Sequence, residues 1–530
     1  MNEHLFDLIE NTNRNVFLTG RAGTGKTTFL NDFVKKSRKN HIIVAPTGIA
    51  AINAGGVTIH SMFGLPLRPF VPTVDRIDAN IANNISDLLP HFKYRKDKLK
   101  LLREVEIIII DEVSMLRADV LDMMDFALRT ARRNQQKFGG VQLLFVGDLF
   151  QLPPVLREDS EYILQRYYSS PFFFNAKALE EMDLLTIELT EVFRQKDKEF
   201  LDLLNAIRDG NSKLVDFNKL NERYFPDFEP NGEAFVHLCS HNKMADSINQ
   251  KKINELKTPS FFYNASVFGD FKENMFPNDE TLELKVGAQV MFIRNDTSGD
   301  RKYYNGKLAE ISRLTEDKVF AILDESNEEL EIKKEIWEQK KYTLGEDKQI
   351  KEEIIGSFEQ LPIRLAWAVT IHKSQGLTFD RLIIDAGQSF TSGQVYVALS
   401  RCRTLEGIYL KSKITPSVIF KDDRISHFQE DTKANDKIEQ IIEAEKYHYS
   451  IKKVLKYTDC SWFLQSLEDW YDIAKSSKKL SEEKTQILYI SLKTNIKELI
   501  IVCEKFEKIL LQKATKFTHG QEEWQEIEKS

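Results

Sequence analysis

The sequence predicts an α/β fold built on parallel sheets, and two alternating patterns indicate it. In the first 190 residues, short apolar runs such as the four isoleucines at 107–110 alternate with amphipathic segments. Runs that are apolar throughout are typical of strands buried on both faces of a parallel sheet. A similar alternation begins near 191, with strand candidates at 234–238 and 381–385. We therefore expect two α/β domains in succession.

Three further segments break this pattern. Residues 64–95 carry prolines and polar residues, which predicts an insertion in the first domain. Short strand candidates and an Asn305-Gly306 turn predict a small antiparallel barrel inserted in the second domain. The last 110 residues have apolar positions at helical spacing, which predicts a helical region. The expected boundaries are 1–190 with its insertion at about 64–100, 191–285 with 356–420, 286–355 for the barrel and 421–530 for the helices.

Composition narrows the class of protein. Of the 530 residues, 42% are hydrophobic and 29% are charged, as in ordinary globular proteins, and no apolar run approaches the ~18 residues of a membrane span. The four cysteines are far apart, which argues against a disulfide framework or a cysteine metal site. The net charge of −7 argues against a protein that binds polyanions over its whole surface. It is compatible with a local basic track that contacts phosphates. The acidic N-terminus does not resemble a targeting segment, so we expect a cytoplasmic protein, nucleoid-associated in a bacterium.

A glycine-rich loop follows the first strand candidate and precedes an amphipathic segment. It reads Gly20-Arg-Ala-Gly-Thr-Gly-Lys-Thr27 and fits the pattern G-x-x-x-x-G-K-[ST]. Glycines let successive backbone N–H groups face phosphate oxygens at the start of a helix. We expect Lys26 to bridge the β- and γ-phosphates and Thr27 to hold Mg²⁺. The predicted nucleotide contacts in this loop are Gly20, Gly23, Thr24, Gly25, Lys26, Thr27 and Thr28.

Two adjacent acids end the third strand candidate. Asp111 would hold Mg²⁺ opposite Thr27, and Glu112 would orient and deprotonate the attacking water. Adjacent carboxylates at a strand end are costly unless a cation neutralises them, which favours a catalytic role over a structural one. With the glycine loop, this pair predicts a nucleotide hydrolase that uses Mg²⁺.

Other residues predict how hydrolysis could drive movement. Gln151 follows a strand candidate, where it could sense the γ-phosphate and the attacking water. Arg194 and Arg401 could reach across a cleft to stabilise the charge of the transition state, and we place Gly376 at the nucleotide. Loops with hydroxyls and backbone amides suit contacts to the backbone of a single strand. The expected strand contacts are Pro46, Thr47, Gly48, Thr58, His60, Ser61, His241, Asn242, Thr370, His372 and Lys373.

Eight motifs occur in one fixed order between about 15 and 411. The set resembles the superfamily 1B DNA helicases, most closely the Pif type, which is similar to RecD-like enzymes. The motifs are GRAGTGKT, APTGIAA, TIHSMF, DEVSM, GDLFQLPPV, LTEVFRQ, LAWAVTIHKSQGLTFD and YVALSRCR. The stretch from Met124 through Phe138-Gly-Gly-Val-Gln-Leu resembles the Pif-type signature.

The resemblance implies a fold and an activity. It implies two RecA-like domains with ATP between them, a wedge at the first insertion and an SH3-like barrel at the second. It also implies 5′-to-3′ translocation on single-stranded DNA and unwinding of duplex DNA, with folded G-rich DNA as a further candidate substrate. The expected partners are single strands and single-strand/duplex junctions, bound by a monomer or by a dimer on DNA. DNA repair, recombination and telomere maintenance are the expected processes.

Two other functions remain open at this point. An RNA-remodelling ATPase would use the same motifs, because discrimination between DNA and RNA rests on contacts to the 2′-OH. A non-translocating clamp would use ATP only to switch conformation. The presence of Glu112 argues against the clamp, since a switch needs no catalytic base.

Overall fold

The structure is a computed structural model in which two units are distinguished: Asn15–Lys433, and Met1–Arg14 together with Ala434–Ser530. Strands and helices are numbered below in chain order. The described residues are 3–78, 80–156, 158–192, 197–230, 234–296, 302–324, 328–385, 393–419, 422–432, 438–458, 460–475, 477 and 480–518.

The first α/β region is built on a six-stranded parallel sheet. Its strands are β1 (Asn15–Gly20), β2 (His41–Ala45), β3 (Val57–Thr58), β4 (Ile107–Ile110), β5 (Gln142–Val146) and β6 (Leu184–Leu189). They lie in the order β3-β2-β4-β5-β1-β6. The first helix of the chain, α1 (Glu3–Asn11), belongs to the smaller unit. The helices of this region up to β6 are α2 (Lys26–Lys36), α3 (Gly48–Asn53), α4 (Ile59–Phe63), α5 (Ile85–Leu88), α6 (Lys96–Glu104), α7 (Ala118–Arg132) and α8 (Glu158–Leu164). Every residue of β4 is buried, as expected for a strand covered on both faces.

The remainder of the larger unit combines parallel and antiparallel sheets. Its helices are α9 (Lys198–Arg208), α10 (Phe217–Asn221), α11 (Asn242–Glu255), α12 (Gln394–Ser400) and α13 (Asp423–Thr432). Its strands are β7 (Val236–Cys239), β8 (Phe261–Asn264), β9 (Ser266–Gly269), β10 (Thr281–Leu284), β11 (Gln289–Phe292), β12 (Leu308–Leu314), β13 (Val319–Leu323), β14 (Glu329–Ile332), β15 (Glu335–Leu344), β16 (Ile350–Gln360), β17 (Ile363–Leu365), β18 (Ala368–Thr370), β19 (Leu382–Ile384) and β20 (Ile408–Leu410).

The second parallel sheet has the order β18-β7-β19-β20. Between β7 and β18 the chain forms three antiparallel sheets, with the orders β10-β8, β14-β13-β12-β11-β17 and β15-β16-β9. The predicted α/β fold with an antiparallel insertion is thus confirmed. The antiparallel strands run from 261 to 365, a longer stretch than the 286–355 predicted. The strands β8 and β9 are only four residues long and largely exposed, and the aromatic run at 261–263 was available as a strand signal.

The long hairpin β15–β16 forms hydrogen bonds to β2 and to Asn40, the residue before it. The N–H of Ile43 in β2 donates to the Tyr342 hydroxyl at 3.0 Å. The Asn40 side chain donates to the Lys348 carbonyl at 2.8 Å and accepts from the Ile350 N–H at 3.0 Å. Because β3 is only two residues long and pairs with the end of β2, the hairpin supplies the partner that a longer β3 would give Ile43.

Helix α13 packs on the first sheet, although its sequence lies in the segment 421–530 that we assigned to the C-terminal helices. Phe428 stacks on Phe174 with ring centroids 4.5 Å apart and touches Phe17 of β1 at 5.9 Å. Thr432 and Thr186 of β6 share a hydrogen bond at 2.6 Å between their hydroxyls. These aromatic contacts place α13 in the core of the first region.

The smaller unit is helical, as the apolar spacing predicted. It consists of α1 with α14 (Ile438–Thr458), α15 (Ser461–Lys475) and α16 (Glu482–Thr518). Leu510 of α16 packs with Ile451 and Leu455 of α14, and Arg14 forms an ion pair with Glu445. Within the described part of the chain, no helix has the length and apolarity that a membrane crossing requires.

Candidate active site

The glycine-rich loop joins β1 to α2 and has the backbone that a phosphate cradle needs. Gly23 and Gly25 adopt left-handed φ values of 82° and 85°, which side chains other than glycine rarely tolerate. A Cβ at Gly20 would lie 2.6 Å from the Leu189 carbonyl oxygen, so no larger residue fits there. Gly25 is the residue immediately before α2, so the loop presents its N–H groups at the positive end of that helix.

Lys26 is held by the backbone of this same loop. Its Nζ donates to the carbonyl oxygens of Gly20 at 2.6 Å and of Arg21 at 3.0 Å. Burial lowers the pKa of Lys26, while the charges of Asp148 and Glu112 act in the opposite direction. The hydroxyl of the buried Thr24 donates to the same Arg21 carbonyl at 2.9 Å, whereas Thr27 and Thr28 in the first turn of α2 are exposed. The ammonium is therefore positioned at the mouth of the glycine loop and close to acids.

Asp111 and Glu112 follow β4, at the edge of the sheet where β1 also ends. Glu112 has a left-handed backbone, with φ 52° and ψ 44°, a conformation that costs a non-glycine residue about 1–3 kcal/mol. Its backbone N–H donates to Asp111 Oδ1 at 2.9 Å, which orients the Asp111 carboxylate. Strained residues of this kind concentrate at functional sites.

The electrostatics of this pair favour a bound cation or proton. Burial, and secondarily the charge of Asp111, raise the pKa of Glu112 to about 7. Burial also raises the pKa of Asp111, against the opposing charge of Lys26. The Thr27 hydroxyl and the Asp111 carboxylate are oxygen ligands of the kind that Mg²⁺ prefers, and Mg²⁺ commonly completes its shell with water and phosphate oxygens. Among the described residues, no group of three or more His, Cys, Asp and Glu side chains could hold a metal by itself.

A residue from the second α/β region reaches the acid pair. The Gln375 side-chain amide donates to Glu112 Oε2 at 2.8 Å, across 263 residues of sequence. Gln375 lies just after β18, in the segment that holds the predicted strand contacts Thr370, His372 and Lys373. The next residue, Gly376, has a φ of 82° and open space where a Cβ would be. Sequence reasoning missed Gln375, although its place after a parallel strand was available as a signal.

Gln151 belongs to a buried polar network. Its amide lies 3.4 Å from Asp148 Oδ2, and Asp148 forms an ion pair with Arg208 of α9 at 3.3 Å. Arg208 also lies over the ring of Phe150, 4.4 Å from its centroid. The carboxylate of Asp148 and the guanidinium of Arg208 are both almost fully buried, so removing either one would leave the other buried charge without this partner. We predicted Gln151 but neither of these two partners, because nothing local connects 148 to 208.

Helix α12 and the residue that follows it supply two further residues of the site. Arg401, the residue after α12, is 1% exposed, and its Nε donates to the Val397 carbonyl at 3.2 Å. Its charge opposes the rise in the pKa of Glu112, so it lies within electrostatic reach of that acid. The Tyr396 hydroxyl accepts from the N–H of Ala22 in the glycine loop at 3.2 Å. Tyr396 was not predicted, and Arg194, which was, lies outside the described residues.

The predicted strand contacts of the first region lie in loops after parallel strands. The hydroxyl of Thr47, which follows β2, accepts from the Ala50 N–H at 3.3 Å and caps α3. The hydroxyl of Thr58 accepts from the Ser61 N–H at 3.2 Å and caps α4. His60 is half-buried, and this burial lowers its pKa. Pro46 and Gly48 are half-buried and Ser61 is exposed.

The predicted contacts of the second region converge from two strands. The Thr370 hydroxyl accepts from the Lys373 N–H at 3.2 Å, and Lys373 itself is exposed. The pKa of His372 is lowered by burial and by the nearby charge of His241, so the residues that follow β18 and β7 lie close together. His241 and Asn242 are both exposed at the start of α11.

Comparison with known proteins identifies the family. Residues 2–217 match the sequence model of the PIF1-like helicases. The chain is 33% identical over 429 residues to the ATP-dependent DNA helicase Pif1 of Campylobacter jejuni, covering 76% of this chain and 90% of that one.

Solved structures agree with this match. The crystal structure of Bacteroides Pif1 in complex with ADP-AlF4 is 40% identical, with a TM-score of 0.73 over 81% of this chain and 96% of that one. Bacteroides Pif1 bound to ssDNA is also 40% identical, with a TM-score of 0.56 over 81% and 95% of the two chains. The resemblance inferred from the eight motifs is confirmed, and this chain belongs to the family of PIF1-like helicases.

Proposed function

We propose that this chain hydrolyses ATP to move 5′ to 3′ along single-stranded DNA and to separate duplex DNA ahead of it. As a PIF1-like helicase, it is an ATP-dependent DNA helicase. We infer that it loads on single strands and on single-strand/duplex junctions as a monomer. Bacteroides Pif1, which it resembles, has been crystallised with ssDNA.

The observation that carries this proposal is the hydrogen bond between Gln375 and Glu112, 2.8 Å long. One partner is the candidate catalytic base of the first α/β region. The other belongs to a segment of the second region whose neighbours, Thr370, His372 and Lys373, are the proposed strand contacts. A displacement of this segment along DNA would move Gln375 relative to Glu112 and so change the hydrogen bond at the candidate base. A translocating motor requires such a coupling between strand and nucleotide site.

The loop residues support binding of nucleotide and metal. We infer that Lys26 and the backbone N–H groups of 20–28 contact the phosphates, and that Thr27 and Asp111 hold Mg²⁺. When bound, Mg²⁺ neutralises charge on the phosphate oxygens. Burial raises the pKa of both Asp111 and Glu112, and the charge of Asp111 raises that of Glu112 further; this supports the assignment because a bound cation would stabilise the two carboxylates.

Four side chains would carry the chemistry. Glu112 accepts the proton of the attacking water, and Gln151 orients that water through its place beside Asp148. Arg401 stabilises negative charge as the phosphate bond breaks, and we assign the same role to Arg194. The buried ion pair of Asp148 with Arg208 holds Gln151 in position.

Strand contacts in this arrangement go to the DNA backbone. The hydroxyls, amides and the exposed Lys373 in the loops after β2, β3, β7 and β18 suit phosphate and sugar oxygens. Contacts of this kind do not read base edges, so we expect little sequence preference and a strong dependence on salt.

The direction of movement is tested with three duplexes, one with a 5′ single-stranded tail, one with a 3′ tail and one with a fork. We expect ATP-dependent strand separation of the 5′-tailed and forked duplexes and none of the 3′-tailed duplex. Matched single-stranded RNA and DNA serve as controls in the ATPase assay, with stimulation expected from DNA. Unwinding of the 3′-tailed duplex alone would overturn the polarity, and stronger stimulation by RNA would favour the RNA-remodelling alternative.

Replacing Gln375 with alanine is expected to uncouple DNA from hydrolysis. Loss of the hydrogen bond to Glu112 should reduce DNA-stimulated ATP turnover about tenfold, the effect of a modest coupling free energy. The affinity for single-stranded DNA, measured by fluorescence anisotropy, should stay within about twofold because the neighbouring backbone contacts remain.

The matched control is Gln349→Ala. Gln349 is an exposed glutamine in the turn of the β15–β16 hairpin, where only its backbone takes part in described hydrogen bonds. This control should retain wild-type ATPase stimulation. If DNA stimulated ATP turnover equally in the Gln375→Ala variant and in the wild type, the proposed coupling between the DNA strand and Glu112 would be contradicted.

A further inference from the structure

The four cysteine thiols fall into two groups. Cys239 and Cys402 are buried in the second parallel-sheet region, and burial raises the pKa of each thiol to about 12. Such thiols are almost never ionised at neutral pH, and the thiolate is the form that reacts with oxidants. Cys460 and Cys503 are instead partly exposed and belong to the helical unit.

Cys460 and Cys503 face each other although they are 43 residues apart in sequence. The Cys503 thiol donates to the Cys460 sulfur at 3.1 Å. A disulfide bond is about 2.05 Å long, so the sulfurs need to approach by only ~1 Å to bond. Cys460 immediately precedes α15, and the positive end of a helix stabilises a thiolate. The S–H donated by Cys503 stabilises negative charge on the same sulfur.

The surrounding helices are already in the arrangement that a bond would fix. Tyr471 of α15 stacks on Tyr489 of α16 with ring centroids 4.0 Å apart. Lys493 of α16 lies 3.6 Å from Glu468 of α15 in an ion pair. These contacts hold α15 against α16 independently of the cysteines, so the two helices are already neighbours before the sulfurs bond.

We propose that Cys460 and Cys503 form a redox-sensitive pair, which a peroxide converts reversibly to a disulfide that links the start of α15 to α16. The Cys460 thiolate attacks one oxygen of hydrogen peroxide, the S–O bond forms and the O–O bond breaks. The leaving hydroxide takes up the proton lost by Cys460 and becomes water.

The second step closes the bond. The Cys503 sulfur attacks the sulfenic sulfur of Cys460, the S–S bond forms, the S–O bond breaks, and a second water leaves with the Cys503 proton. The two thiols together lose two electrons, and the peroxide is reduced to two waters. The link closes a loop that contains α15 and most of α16, and such a closure resists local opening of those helices.

The test uses the full chain treated with hydrogen peroxide, then alkylated and analysed by intact mass and peptide mapping. We expect the loss of two hydrogens, a peptide pair joined through Cys460 and Cys503, and full reversal by dithiothreitol. Limited proteolysis should show cleavage within α15 and α16 slowed about tenfold in the oxidised protein. Basal ATP turnover is measured alongside, with no change expected because neither cysteine belongs to the nucleotide site.

Variants decide the assignment. Cys460→Ser and Cys503→Ser should each abolish the two-hydrogen loss, whereas the matched control Cys239→Ser with Cys402→Ser should retain it. Circular dichroism establishes that each variant is folded, and the map of the wild-type chain decides the pairing without any variant. A link through Cys239 or Cys402, a link between two chains, or over-oxidation of a single cysteine to the sulfinic acid would each overturn the proposal.

Discussion

Replacement of Lys26 by alanine is expected to abolish both ATP turnover and unwinding. The Lys26 ammonium is fixed by the carbonyl oxygens of Gly20 and Arg21, at the place where the glycine loop would hold phosphates. The positive charge of Lys26 would stabilise the negative charge that develops on the transferred phosphate. Without it, the rate of ATP hydrolysis should fall by about 10³-fold or more. Steady-state ATP turnover in saturating single-stranded DNA measures the loss, and a forked duplex reports the unwinding.

The variant also tests the division between nucleotide and strand residues. The hydrogen bonds described for Lys26 go to the carbonyl oxygens of Gly20 and Arg21 and to none of the proposed strand contacts, so the affinity for single-stranded DNA should change by no more than about twofold. Lys35→Ala, an exposed lysine in the last turn of the same helix, is the matched control and should behave as wild type. Simultaneous loss of hydrolysis and strand binding would contradict the separate roles that we assign.

The second large effect is expected from Glu112→Gln. An amide cannot accept the proton of the attacking water, so the hydrolysis rate should fall by about 10²–10⁴-fold. Glutamine has nearly the same shape and retains an oxygen that can accept from Gln375. The substitution also removes the repulsion between Glu112 and Asp111, so the variant should fold at least as well as the wild type.

Two kinds of measurement on the Glu112→Gln variant distinguish the loss of a catalytic base from the loss of a binding group. Single-turnover hydrolysis should slow, while binding of a fluorescent ATP analogue and of single-stranded DNA should persist. Glu310→Gln, which neutralises an exposed carboxylate in β12, serves as the control and should leave the rate unchanged. Undiminished ATP turnover in the Glu112→Gln variant would show that another group is the base.

Contacts between residues far apart in sequence account for what the sequence did not predict. The bond from Gln375 to Glu112 spans 263 residues, the ion pair of Arg208 with Asp148 spans 60, and the thiol pair spans 43. Each partner alone is an ordinary polar side chain, and no local pattern indicates which distant residue it meets. The position of α13 in the core of the first region was missed for the same reason.

The sequence by itself determined the family and the position of the glycine loop between β1 and α2, because a strand, a glycine turn and a helix start are set by contiguous residues. Only the tertiary structure decided that Gln375 meets Glu112, that Arg208 pairs with Asp148, and how far the antiparallel sheets extend. Sheet pairing and buried polar networks depend on long-range packing, which brings residues together regardless of their separation along the chain.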